Sequence, residues 1–146
     1  MDNAADTVLN TVLNTIRIGL GFLLIITITI IVQSIANRIM KSLSDSLDWV
    51  YFPQKLTILM ILLLYILFIA ILIDLLVWTA ALMAVGLFTD FLTAFAFSTN
   101  NFTTLGGGAG VSLGPPYEFV GPVMSINGIV MIAFGVSCMY SILYKS

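Results

Sequence analysis

The chain has 146 residues, 60% of them hydrophobic and only 8% charged, with a formal net charge of −2. That apolar share exceeds what a soluble fold of this length can bury, so an all-α integral membrane protein in contact with the lipid bilayer is expected. With no histidine, a lone Cys138 inside an apolar run and five dispersed basic residues, the chain has no zinc cluster, thiol pair, imidazole-activated nucleophile or nucleic-acid footprint. No enzymatic activity is expected.

Residues 1–16 repeat T-V-L-N from Thr7 and Thr11 and set Val8, Leu9, Val12, Leu13 and Ile16 at helical spacing. This segment is expected to lie on the membrane or to lengthen the first span, and it lacks the basic start of a signal peptide. Residues 18–37 are free of charge and long enough to cross a bilayer core of about 30 Å. Residues 37–50 place Ile39, Met40, Leu43, Leu47 and Val50 on one face, with Arg38, Lys41, Asp45 and Asp48 elsewhere. Such a pattern suits an interfacial helix ended by Pro53. From Leu56 to Thr89 only Asp74 interrupts an apolar run that is too long for one perpendicular span and too short for two. One long tilted helix over about 57–85 is expected, with a turn at Gly86.

A shorter helix is expected over 89–102, with Thr89 as its cap and Asp90 in its first turn. Phe91, Leu92, Phe95 and Phe102 would give it an apolar face. It leads into F-S-T-N-N-F-T-T-L-G-G-G-A-G over residues 97–110, a polar, glycine-rich insert between two segments of spanning length. Irregular backbone is tolerated at membrane depth only where protein buries it or where it lines a water-filled path, so the insert reads as a re-entrant pore lining. The glycine run lacks the Lys-Ser/Thr ending of a phosphate loop. Asn101-Phe102-Thr103 matches a glycosylation acceptor only by coincidence in such a segment. Residues 119–144 form the last span.

Phe97-Ser98 followed by Phe102-Thr103-Thr104-Leu105-Gly106-Gly107-Gly108 resembles the pore helix and filter of the potassium channel superfamily, whose usual form is F-T-T-L/V-G-Y-G-D. The likeness continues through Pro115-Pro116-Tyr117-Glu118, Gly121-Pro122 and Asn127-Gly128-Ile129, and is similar to small bacterial two-to-three-span ion-channel proteins. Asp74 and Trp78 resemble an acidic residue and a tryptophan in the helix before the pore of that group, so that the likeness covers residues 74–143. It implies three transmembrane helices plus a re-entrant pore helix and filter loop. Residues 1–54 would then form an N-terminal helix with an interfacial loop, and residues 55–146 a pore domain.

The resemblance implies a homotetramer that conducts a monovalent cation, potassium by the family's pattern, as its only ligand. Carbonyls of Thr104, Leu105, Gly106 and Gly107 and the Thr104 hydroxyl would replace ion hydration, with Gly108 completing the filter and Thr103 supporting the pore helix from behind. Gly107 stands where the family has Tyr or Phe, and Ala109 where it usually has Asp, so weak selectivity is expected. The alternative is a non-conducting accessory subunit that keeps the fold beside unrelated membrane proteins. A proton or small-solute transporter has only Asp74 as a candidate relay.

Asp74 is expected to face protein, either as an anchor or proton site or as a hydrogen-bonded structural residue. Gly114, Gly121, Gly128 and Gly135 recur every seven residues with Ser125 on the same face, which fits close helix packing or, alternatively, a gating hinge. Arg38, Lys41 and Lys55 lie between the first two spans, against Asp2 and Asp6 in the N-terminal tail. The positive-inside rule then sets the N-terminus outside and the C-terminus in the cytoplasm of a bacterial inner membrane.

Overall fold

The computed structural model describes residues 2–46, 53–105, 111 and 113–145. Among these there are four helices and no strand: α1 Asp2–Ser46, α2 Pro53–Ala84, α3 Phe91–Phe102 and α4 Val120–Lys145. Three of them, α1, α2 and α4, are long and apolar enough to cross a membrane. At 12 residues, or about 18 Å, α3 is too short to do so.

The first helix is a single element rather than the two or three expected. Residues 2–16 lengthen it instead of lying apart, and residues 37–46 continue it instead of forming a separate interfacial helix. Nothing from Asp2 to Ser46 stops a helix: the segment has no proline, and its two glycines, Gly19 and Gly21, each cost only about 1 kcal/mol in a helix interior. Residues 47–50, part of the expected interfacial helix, lie outside the described residues. Pro53 opens α2 instead of closing the element before it, because a first-turn proline gives up only an N–H that has no intrahelical partner.

The turn at Gly86 is where the sequence places it. Gly86 has φ +78°, its N–H donates to the Met83 carbonyl at 2.9 Å, and the Leu87 N–H donates to the Leu82 carbonyl at 3.1 Å. This paired geometry satisfies the last carbonyls of α2 and needs a residue free to adopt positive φ. Leu82 and Leu87 both belong to the core beneath the turn, with Trp78, Phe88, Phe97, Phe102 and Met124.

The four helices pack as a bundle in which α3 lies against both α2 and α4, and α1 against α2 and α4. A polar pair ties α1 to α4: the buried Thr29 hydroxyl donates to the Ile26 carbonyl at 2.9 Å and accepts from Asn127 Nδ2 at 3.2 Å. In an apolar surround such a pair contributes about 0.6 kcal/mol and at most about 1.7 kcal/mol. A double-mutant cycle with Thr29→Val and Asn127→Ala, read by denaturant unfolding in detergent, should return a coupling in that range. Zero coupling would mean that the two side chains do not meet.

Candidate functional site

The site is built on α3. Its start is capped by Asp90, not Thr89: the Asp90 carboxylate accepts from the Thr93 N–H at 2.8 Å and from the Thr93 hydroxyl at 2.7 Å. Asp is a better cap than Thr, and moving the cap one residue on starts the helix at Phe91. The Thr93 hydroxyl and then its N–H hold the Asp90 carboxyl below the ordinary carboxylate value. A lowered folded pKa stabilises the cap above the unfolded value and is lost as pH falls through the folded one. Protection of the first α3 amides from hydrogen exchange should therefore drop under acid conditions. Asp90→Asn, a cap that does not titrate, should remove that pH dependence; if the dependence persists, the cap is not its source.

The packed face of α3 is Ala94, Phe97, Ser98, Asn101 and Phe102. Phe91 and Leu92, assigned to the apolar face by spacing, are exposed at 47% and 73%. Three contacts fix α3 to α4. The Ser125 hydroxyl donates to the Asn101 carbonyl at 2.7 Å, a Cβ on Gly121 would lie 2.7 Å from Asn101 Oδ1, and a Cβ on Gly128 would lie 2.0 Å from the Phe102 carbonyl oxygen. Asn101 spends its amide on the Phe97 carbonyl at 2.8 Å and is nearly buried, so it offers nothing to a glycan.

Gly135 meets Leu67 and Gln33 in the same close manner, so Gly121, Gly128 and Gly135 are all packing positions. Gly114 does not belong to this stripe. It precedes α4, and a Cβ there would meet nothing within 4 Å.

At the other end of α3 the chain leaves through Thr103, Thr104 and Leu105, all exposed in the single chain. The Thr103 hydroxyl donates to the Thr99 carbonyl at 2.7 Å, which ties it to the helix end rather than burying it behind α3. Thr104 has φ +63° and donates its N–H to the Asn101 carbonyl at 3.0 Å. Left-handed backbone at a β-branched residue costs of order 1–3 kcal/mol, and such strain clusters at functional sites. Gly106, Gly107 and Gly108, the remaining expected filter residues, lie outside the described residues.

Asp74 is fully buried in the bundle, as expected, and neither carboxyl oxygen has a hydrogen-bond partner among the described residues. Trp78 Nε1, Ser98 Oγ and Gln33 Oε1 are buried and unpartnered in the same way. Each such group costs about 1–3 kcal/mol unless something satisfies it. Sequence reasoning found Asp74 because a charge in an apolar run stands out. It did not single out Gln33 or Thr29, and it named Ser98 only within the pore-helix likeness, although small and polar residues on a helix that is otherwise apolar all round are the signal of a packed face.

No family model, no curated protein and no solved structure matches the chain.

Proposed function

We propose that the chain is the pore subunit of a passive path for monovalent cations, potassium-channel-like in layout, with several copies, four by the resemblance, around a common axis. The observation that carries this reading is α3: a helix too short to span, capped at its start, held between α2 and α4, and ending in strained Thr104 beside the glycine-rich run. One chain supplies only one filter strand, and a ring of carbonyls needs several, so the exposed Thr103, Thr104 and Leu105 would face the axis together with the carbonyls of Gly106, Gly107 and Gly108. Asp74 sits within the bundle, and in this reading it helps to hold α3 rather than to meet the ion.

The test is cation flux into vesicles holding the purified protein. Wild type should exceed empty vesicles, and Gly106→Pro, which fixes φ and removes a donor at the centre of the proposed filter, should abolish the difference. Wild-type flux no greater than that of empty vesicles would favour the second reading, a non-conducting subunit of a larger membrane complex. Gly107 and Ala109, in place of the usual aromatic and acid, are what favour that reading.

A further inference from the structure

The C-terminal ends of α1 and α4 enclose a polar cleft that the proposed ion path does not use. The two helices run in the same direction: the Asn127 amide donates to Thr29, a Cβ on Gly135 would lie 2.8 Å from Gln33 Nε2, and Met40 and Ile142 share a buried cluster. Beside that cluster lies a cleft of about 160 Å³, room for about five water molecules. Ile142 and the half-buried Cys138, which packs against the cluster, form its floor. Lys41, Ser44 and Asp45 line it from α1, and Ser141 from α4.

This cleft lies at the level of lipid headgroups. Arg38 is the first charge after the uncharged residues 18–37, whose length matches a bilayer core of about 30 Å. At about 1.5 Å per residue, Lys41 lies about 5 Å beyond Arg38 along the helix and Asp45 about 10 Å beyond it. The headgroup layer on each side of the core is about 5–8 Å deep, so Lys41 lies within it and Asp45 at its outer edge.

The charges select what can sit there. Lys41 precedes Asp45 by one turn, the less favourable order for a pair within one helix, and both side chains are exposed. One ammonium and one carboxylate leave the cleft without net charge, which complements a zwitterion and disfavours a ligand of net negative charge. In phosphatidylethanolamine the phosphate lies nearer the acyl chains and the primary amine nearer the water. Lys41 and Asp45 stand in the matching order, ammonium for phosphate and carboxylate for amine. A choline headgroup has no N–H to give Asp45, and the aromatic faces that hold a quaternary ammonium are absent from the described lining.

We infer that the cleft between the ends of α1 and α4 binds the headgroup of a phosphatidylethanolamine-type lipid, its phosphate on Lys41 and its amine on Asp45. Phe134 and Val130, exposed one and two turns before Cys138, continue this face into the core for the acyl chains. The site requires a bilayer but no conduction, so a failed flux experiment would leave it standing.

Cys138 is the sole cysteine of the chain, and its place in the cleft makes it the reporter. The full chain is placed in lipid nanodiscs, open on both faces, of phosphatidylcholine alone or mixed with phosphatidylethanolamine or phosphatidylglycerol. Labelling by a water-soluble maleimide is then timed. A site four-fifths occupied is open one-fifth of the time, so phosphatidylethanolamine should slow labelling about fivefold relative to phosphatidylcholine. Phosphatidylglycerol should slow it less. Rates are compared between discs within each variant, which cancels any change in thiol reactivity. Lys41→Gln should abolish the difference, and Asp45→Asn, which leaves a positive site, should shift protection from phosphatidylethanolamine to phosphatidylglycerol. A control cysteine, Ser46→Cys with Cys138→Ser, lies outside the cleft lining and should label alike in every disc. Equal rates in phosphatidylcholine and phosphatidylethanolamine discs, protection that survives Lys41→Gln, a stronger effect of phosphatidylglycerol on the parent, or equal slowing at the control would each overturn the proposal. Soluble phosphoethanolamine that protects as well as the lipid, in phosphatidylcholine discs, would assign the cleft to a free ligand and overturn it too.

Discussion

Gly128→Ala is expected to destabilise the bundle more than any other single-methyl addition to its helices. The new Cβ would stand 2.0 Å from the Phe102 carbonyl oxygen and 2.9 Å from its carbon, both backbone atoms that no rotamer change can move. The end of α3 would have to withdraw from α4, weakening the Ser125–Asn101 hydrogen bond and the seat of Phe102 along with it. Overpacking of this kind costs typically 1–3 kcal/mol, and a clash with backbone places it at about 3 kcal/mol. Gly135→Ala meets the tip of Leu67 at 2.2 Å and Gln33 Nε2 at 2.8 Å, side-chain ends that can turn aside, so about 1 kcal/mol is expected. Gly19→Ala and Gly21→Ala meet nothing within 4 Å and should gain up to about 1 kcal/mol from helix propensity. Denaturant unfolding in detergent, followed by circular dichroism, orders the four variants. Gly128→Ala as stable as Gly19→Ala would contradict the packing described for α3 and α4.

The same glycine shows what the sequence makes legible. Gly121, Gly128 and Ser125 on one face of the last helix point to close packing because small residues let backbones approach. The three spanning segments are legible for an equally direct reason, since each is an apolar run that reaches bilayer length. The packed face of α3 was hidden because Phe91 and Leu92 have the hydrophobic spacing of a core face yet are exposed. In helices that are apolar on every side, hydrophobicity no longer separates inside from outside, and Ala94, Ser98 and Asn101 carry the information instead. The unbroken α1 was hidden for a different reason: changes of composition near residues 17 and 37 look like boundaries, but neither contains a residue that terminates a helix. Asp90 in place of Thr89 as the cap is a one-residue difference of the kind that cap chemistry, not periodicity, decides.

Gly107→Tyr is expected to change the selectivity of the proposed path more than any other substitution. In the resembled family an aromatic ring at this position packs against the pore helix and holds the carbonyl ring at a fixed diameter, and here glycine leaves that support out. Successive glycines also have more backbone freedom to lose on ordering, so the carbonyls of Gly106 and Gly107 should sit loosely. On the cavity-size account of selectivity a loose ring discriminates poorly between potassium and sodium; on the field-strength account the loss is smaller, because the number of carbonyls is unchanged. Wild type is therefore expected to pass both ions with little preference, and Gly107→Tyr to favour potassium. The ring needs room behind the filter, and forcing it into a filled space would cost about 1–3 kcal/mol. Potassium and sodium flux in vesicles, measured for wild type and Gly107→Tyr, separates these outcomes. An unchanged potassium-to-sodium ratio in Gly107→Tyr, in protein that still folds and conducts, would mean that Gly107 does not shape the filter, and the residues that set selectivity would have to be sought elsewhere on the chain.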